Sequence, residues 1–404
     1  MKRENSITDR SNRWNLPHPT SADREKKVGV LREYVQYFTG NRRLLLVPLC
    51  ICTLSLFGLL TLSSASLSFV HSNYLLRQCL WFAFALPAAA IGLLIPLQWL
   101  RKRSRKIAIV AAALLVLVLI PGIGLSVNGS RRWIPLGPIH FQVSEFAKVA
   151  FVLLLADYLS RHQENIGNWK EGFLRPTLIV AFFTAMLLLE PDYGTALLFL
   201  SVGMALLFLS GTSLRLLFAC IICAIFLFAL FIALNPVRLG RVLSFWNIES
   251  TKLTGSYQLW QGLIGFNSGG LFGLGLGNGR QQRFYLPEAH TDFIFPVLAE
   301  ELGYLFALFI IALYVVTFAL AWFEIYRIHS PFFFLFANGI MLFICVQTLI
   351  NLSVVMGIFP TKGMALPLIS YGGSNLVFVF ALFGLLLNCM RSAYFEKPNV
   401  ENCL

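Results

Sequence analysis

Three stretches of this chain, Leu44–Ser64, Gln78–Leu100 and Ile107–Val127, each run 21 to 23 residues without one charged side chain. A hydrocarbon layer of roughly 30 Å takes about 20 apolar residues per spanning helix. Seven further apolar stretches follow, at Phe146–Ser160, Pro176–Leu189, Gly194–Leu214, Leu216–Leu234, Phe293–Phe323, Phe332–Gly357 and Asn375–Met390. Of the 404 residues 57% are hydrophobic and 13% charged, against about 25% charged in a soluble domain. That balance excludes a water-soluble enzyme, a disordered chain and a disulfide scaffold. The ten-residue alternating segments of a membrane β-barrel are missing. The expectation is an all-α polytopic membrane protein of about ten transmembrane helices.

The distribution of basic residues orients it. An even number of spans puts both ends on one side. With Met1 and Leu404 on the inner side, 22 Lys and Arg fall there and eight outside, while Arg77 and Lys148 lie within helices. Both termini are therefore expected in the cytoplasm. Residues 1–43 read as a basic, disordered cytoplasmic tail without a cleavable signal, 44–395 as one membrane domain, and 396–404 as a short cytoplasmic tail. The net charge of +13 follows from this bias and from attraction to anionic membrane lipids, so it does not point to nucleic acid. Seven of the eight cysteines sit in apolar segments and Cys403 in the tail. Cys220 and Cys223 form a CxxC without a second pair or a nearby His, which is no metal signature.

One outer connection is far longer than a link needs to be. Asn235–Thr291, between helices seven and eight, runs 57 residues and holds eight glycines between Gly262 and Gly279. Such a run either lets backbones pack closely or lets amide groups approach a phosphate. No GK[ST] follows, so it is not a nucleotide P-loop. Ionisable residues at membrane depth cost about 2.5–3.5 kcal/mol each and mark function. On the outer half these include Glu145, Glu190, Asp192, Glu288, Asp292, Glu300 and Glu301, with Arg131, Arg132, Lys148, Arg280, Arg283, His290 and Lys362. Glu145 and Lys148 suit an ion pair three residues apart. Arg131-Arg132-Trp133 suits an interfacial anchor, and Glu190-Pro191-Asp192 a turn. Asp292 opens helix eight and is either a cap or a functional carboxylate, ionised at neutral pH from a reference pKa of about 3.9.

In that order the motifs NGSRRWIPLGPIHFQVSEFAK (Asn128–Lys148), EPDYGT (Glu190–Thr195), LPEAHTDFIFPVLAEELG (Leu286–Gly303) and FPTKGMALPLISYGGSN (Phe359–Asn375) resemble the SEDS family of shape, elongation, division and sporulation proteins. The resemblance spans about Leu44 to Arg391, and PTKG and LPEAHTDF are similar to its division-type FtsW branch. It implies a peptidoglycan glycosyltransferase (a transferase of cell wall biogenesis in the cell cycle) that polymerises lipid II at the outer face of the bacterial inner membrane, at the division septum. It also implies a class B penicillin-binding transpeptidase and other division proteins as partners. By motif, Asp292 matches the family's essential acid, and Arg132, Trp133, Lys148 and Asp192 match its other implicated positions. Arg280, Arg283 and His290 join them as candidate lipid II contacts. Val143, Asn375 and Gly279-Arg280 depart from the usual pattern. The implied chemistry is inverting displacement of a lipid pyrophosphate, with Asp292 as general base or as a ligand for a divalent cation such as magnesium or manganese. A lipid II flippase, with Arg77, Lys148, Glu300 and Glu301 along a passage, and a division scaffold are the alternatives.

Overall fold

In the computed structural model, residues 42–67, 74–127, 130–137 and 139–395 are described. The expected tails lie outside them, except that Arg42 and Arg43 open the first helix. Every one of the ten apolar stretches contains a helix. In lipid a backbone has no water to bond, so an apolar run satisfies its amides by coiling. The helices are α1 Arg42–Leu67, α2 Tyr74–Leu94, α3 Leu97–Lys102, α4 Ser104–Leu119, α5 Val143–Arg161, α6 Arg175–Leu189, α7 Tyr193–Leu209, α8 Leu214–Ala233, α9 Pro236–Trp246, α10 Tyr257–Gly269, α11 Ile294–Leu302, α12 Tyr304–Ile325, α13 Pro331–Val355 and α14 Gly373–Phe395. Among the described residues seven helical segments are long and apolar enough to cross a membrane, and α7 is a shorter apolar helix.

Three boundaries differ from expectation, the first in the second stretch, which breaks between Leu94 and Leu97 at Pro96. The third apolar stretch stops being helical at Leu119. Its end, Leu125–Val127, is β1 of a small antiparallel sheet with β2 Ser130–Leu136 and β3 Ile139–Gln142, in the order β1-β2-β3. The third correction is at the eighth stretch, which breaks between Leu302 and Gly303. Gly303 has φ +86°, and the amides of Leu274 and Gly275 bond the carbonyls of Glu300 and Glu301 at 3.0 Å. Here the glycine run packs: a Cβ on Gly273 would lie 2.1 Å from the Glu301 carbonyl oxygen. The long outer connection is itself structured, holding α9 and α10.

The bundle is tight where small residues meet. A Cβ on Gly384 would lie 2.2 Å from the Ala89 carbonyl oxygen, so α14 and α2 cross backbone against backbone. Asn388 on α14 adds bonds to the carbonyls of Gly92 and Ile95 at 3.0 and 2.7 Å. Phe151 of α5 packs on Phe199 and Phe343 at 5.0 and 6.1 Å between ring centres, joining α5, α7 and α13. By contrast α8 fully buries only Leu217, with Cys220, Ala224, Phe228 and Ile232 half-buried along one stripe and most of the helix exposed.

Candidate functional site

Asp292 lies two residues before α11, whose N-cap is Phe293, and its carboxylate caps nothing. The expectation that it opens the helix is corrected, and the capping explanation goes with it. The backbone around it is held by α13 and by the loop that follows it. The carbonyls of His290, Thr291 and Asp292 accept in turn from the Tyr371 amide at 2.9 Å, Ser370 Oγ at 2.6 Å and Asn351 Nδ2 at 2.9 Å. Asn351 also bonds the Met364 carbonyl at 2.6 Å, and the Leu366 amide bonds Ser370 Oγ at 2.7 Å. Helix α13 and the PTKG–SYGGS loop therefore fix the backbone that carries this carboxylate. Gly363 faces it: a Cβ there would sit 2.7 Å from Asp292 Oδ2.

Charge gathers around this point. Burial, and then the negative charge of Glu288, push the Asp292 pKa up to about 7, with Arg132 pulling the other way. The ionised acid assumed from the reference value is thus replaced by one poised near neutrality. Arg132 Nη1 reaches Asp192 Oδ2 at 3.3 Å. Asp192 is both a turn residue and the N-cap of α7, accepting from the Thr195 amide and hydroxyl at 3.3 and 2.8 Å. Beside it the fully buried Glu190 is pushed up to about 9 by burial and by Asp192, so it is neutral at pH 7. Lys362 is drawn down to about 8, chiefly by burial, against the attraction of Asp192. Arg238 lies 3.6 Å over the Tyr193 ring and bonds the Pro191 carbonyl at 2.8 Å.

The remaining candidates divide. His290 stacks on Tyr74 at 4.5 Å and meets Tyr371 at 5.8 Å, and burial lowers its pKa, so it is neutral beside Asp292. Trp133, half-buried on β2, pairs with Gln142 and continues the strand that carries Arg132. Lys148 points into the bundle, where Nζ bonds Glu145 Oε1 and Gln347 Oε1, both at 2.8 Å. Gln347 in turn donates to the Ala365 carbonyl at 3.0 Å. Arg280 and Arg283 are exposed on the glycine-rich connection, with Arg283 bonded to the Gly277 carbonyl at 3.2 Å, and the charges acting most strongly on Asp292 are Glu288 and Arg132 instead. Glu300 and Glu301 have local partners: Glu300 accepts from the Gln281 amide and Ser268, and Glu301 from Ser64, the Gly277 amide and Gln282. Among the described residues no group of three or more His, Cys, Asp or Glu forms a cage for a metal ion.

Asn351, Ser370, Gly363, Lys362, Arg238 and Glu190 also belong to this site. Lys362 and Glu190 were visible as outer charges, while Asn351 was hidden in a largely apolar run that also holds the amides of Asn338 and Gln347.

A family model described as "Cell cycle protein", spanning FtsW, RodA and SpoVE, matches residues 43–394. The chain belongs to the FtsW/RodA/SpoVE family. This is the family that the motifs resemble, and its members include proteins of both the FtsW and RodA types. The "Probable peptidoglycan glycosyltransferase FtsW" of Coxiella burnetii is 41% identical over 85% of this chain and 95% of its own length. That of Allochromatium vinosum is 39% identical over 82% and 86%. Among solved structures, a chain from a peptidoglycan synthase complex that coordinates polymerization and crosslinking superposes with a TM-score of 0.73 at 27% identity, covering 86% of this chain and 97% of that one. RodA of Thermus thermophilus gives 0.65 at 27% identity, covering 86% and 96%. The FtsW/RodA fold therefore carries this multi-pass helical chain over most of its length.

Proposed function

We propose that this chain is a peptidoglycan glycosyltransferase of the division type, polymerising lipid II outside the bacterial inner membrane at the septum, beside a class B penicillin-binding transpeptidase and other division proteins. The 22-to-8 basic bias supports the orientation, with both termini inside and Asn235–Thr291 outside. The names of the FtsW relatives and the synthase complex support the activity and the partner. The observation that carries the mechanism is Asp292, a carboxylate that caps no helix, is poised near pH 7 and is held by three successive backbone clamps.

Asp292 takes the proton of the acceptor sugar hydroxyl as that oxygen attacks the donor anomeric carbon. The carbon–oxygen bond to pyrophosphate breaks, and the electron pair leaves with the pyrophosphate from the opposite face, so configuration inverts. Cations near Asp192, with Arg132 foremost, stabilise that leaving charge. Neutral His290 and Trp133 offer faces for the sugars, while Arg280 and Arg283 meet anionic parts of lipid II further out. Lys148 acts through Gln347 on the loop that carries Gly363. In the alternative role Asp292 would hold a divalent cation such as magnesium or manganese, which would help to offset the pyrophosphate charge.

The deciding experiment is lipid II polymerisation by purified chain with its transpeptidase. Asn caps a helix as well as Asp does, yet it cannot accept the proton. Asp292→Asn is expected to abolish glycan synthesis while keeping fold and partner binding. Full activity in that variant overturns the reading.

A further inference from the structure

Glu300 and Glu301 stand at the far end of α11 from Asp292, and both are buried. None of the ion pairs among the described residues involves either. Burying a carboxyl group is costly unless hydrogen bonds replace those it made to water. Here most of the replacements come from one segment, the glycine-rich arm of residues 273–283. Glu300 Oε2 accepts from the Gln281 amide at 3.0 Å, and Glu301 Oε1 from the Gly277 amide at 3.0 Å and Gln282 Nε2 at 2.7 Å. The carbonyls of the same two residues take the amides of Leu274 and Gly275. Two adjacent residues thus grip the arm with backbone and side chain together. Ser64 of α1, 2.6 Å from Glu301 Oε1, and Ser268 of α10, 3.1 Å from Glu300 Oε1, brace the carboxyls from behind.

The arm carries Arg280 and Arg283, both exposed, and Arg283 closes it through the Gly277 carbonyl. Gly279, where the chain departs from the usual family pattern, sits against the pair. A Cβ there would lie 3.0 Å from Glu300 Oε2 and 3.1 Å from Glu301 Oε1, so a larger side chain pushes the arm away from the carboxyls. Helix α11 runs nine residues, about 13 Å, with Asp292 before its start and the grip at its end. We infer that Glu300 and Glu301 are positioning residues, which hold Arg280 and Arg283 at a set distance from Asp292. Anionic parts of lipid II then meet the arginines while the acceptor hydroxyl meets the acid. The assignment rests on the proposed function and gives its two arginines a fixed mount. Such a grip serves bound substrate and transition state alike, so its loss raises KM and spares kcat.

Two readouts on the full chain in nanodiscs, with its transpeptidase, test this. Trypsin cuts after Arg280 and Arg283 only when the arm opens. Glu301→Leu leaves Ser64, Gln282 and the Gly277 amide without their acceptor, and is expected to be cut there about ten-fold faster than wild type. Glu301→Gln, whose amide oxygen replaces Oε1, is expected to be cut at the wild-type rate. In lipid II polymerisation Glu301→Leu is expected to raise KM about ten-fold, the loss of one charge-assisted contact, with kcat retained and Glu301→Gln restoring KM. Arg280→Gln together with Arg283→Gln is expected to raise KM as much in wild type and to add nothing in Glu301→Leu, because coupled residues are not additive. Gly279→Val breaks the seat from the arm side and is expected to match Glu301→Leu, so the test holds even if that variant does not fold. Unchanged cleavage in these variants overturns the grip, and an arginine effect that persists in them overturns the positioning role while the proposed function stands. If the variants are cut as expected but wild type never polymerises lipid II, the function fails and the grip remains.

Discussion

The side-chain nitrogen of Asn351 lies 2.9 Å from the carbonyl oxygen of Asp292 and 2.6 Å from that of Met364. One amide, near the C-terminal end of α13, thus ties the carboxylate segment to the loop that faces it. Asn351→Leu keeps the volume but strands two carbonyls, at a cost of about 1–3 kcal/mol. A displacement of about 1 Å at a reacting group can cost 10²-fold in rate. The turnover number for lipid II polymerisation is therefore expected to fall by about that factor, with KM nearly constant. Wild-type turnover in folded Asn351→Leu would remove Asn351 from the positioning of Asp292.

Protonation of Asp292 sets a pH dependence. Burial and Glu288 favour its neutral form up to about pH 7, and only the ionised form accepts a proton. The kcat/KM for polymerisation is expected to rise with unit slope to about pH 7 and then level. Glu288→Gln, by removing a like charge, moves this limb to lower pH, and Arg132→Gln moves it to higher pH. Stability runs the other way. The neutral carboxyl's contribution is complete below the unfolded value of 3.8 and is lost as pH rises through about 7. Asp292→Asn is accordingly expected to melt above wild type at pH 8 and level with it at pH 4. A rate limb near pH 4 would show that the folded site does not raise this pKa.

The helices were legible because uninterrupted apolar runs have one solution in lipid, and Asp292 stood out as a candidate because a carboxylate beside a membrane segment is costly. The short sheet was not. Its strands lie at the end of the third apolar stretch and beyond it, where Ser126, Arg131 and Arg132 no longer enforce a helical period. Nor was the break at Gly303, since Glu300 and Glu301 read as charges seeking a substrate when their partners are Ser64, Ser268, Gln282 and the amides of Gly277 and Gln281. The site's supporting residues escaped for a related reason. Asn351 and Ser370 act on backbone carbonyls distant in sequence, and only the fold brings those within reach.

Lys148 is expected to matter through structure. Its ammonium is buried between Glu145 and Gln347, and Asn375 adds a 3.2 Å bond to the same Glu145 oxygen. Lys148→Met leaves Glu145 as a buried charge without its partner, a loss of about 3–5 kcal/mol. Glu145→Gln added to it removes that charge, and the double variant is expected to recover most of the melting temperature and, with it, polymerase activity. Recovered stability without recovered activity would instead place Lys148 on the substrate.

Gly363 offers the most local test of where the carboxylate must be. It is exposed, so Gly363→Ala has little to disturb except Asp292, whose Oδ2 would lie 2.7 Å from the new Cβ. The carboxylate has to turn away by several tenths of an ångström, while its backbone stays clamped by Asn351, Ser370 and Tyr371. Folding is expected to be unaffected, with a melting temperature in detergent close to wild type. Polymerisation of lipid II is expected to drop by about ten- to a hundred-fold, because a general base works only within hydrogen-bond reach of its proton. Gly363→Ser should fare no better, its hydroxyl adding an atom to the same space. If both variants polymerise at the wild-type rate, Asp292 reaches its proton from a rotamer that Gly363 does not constrain.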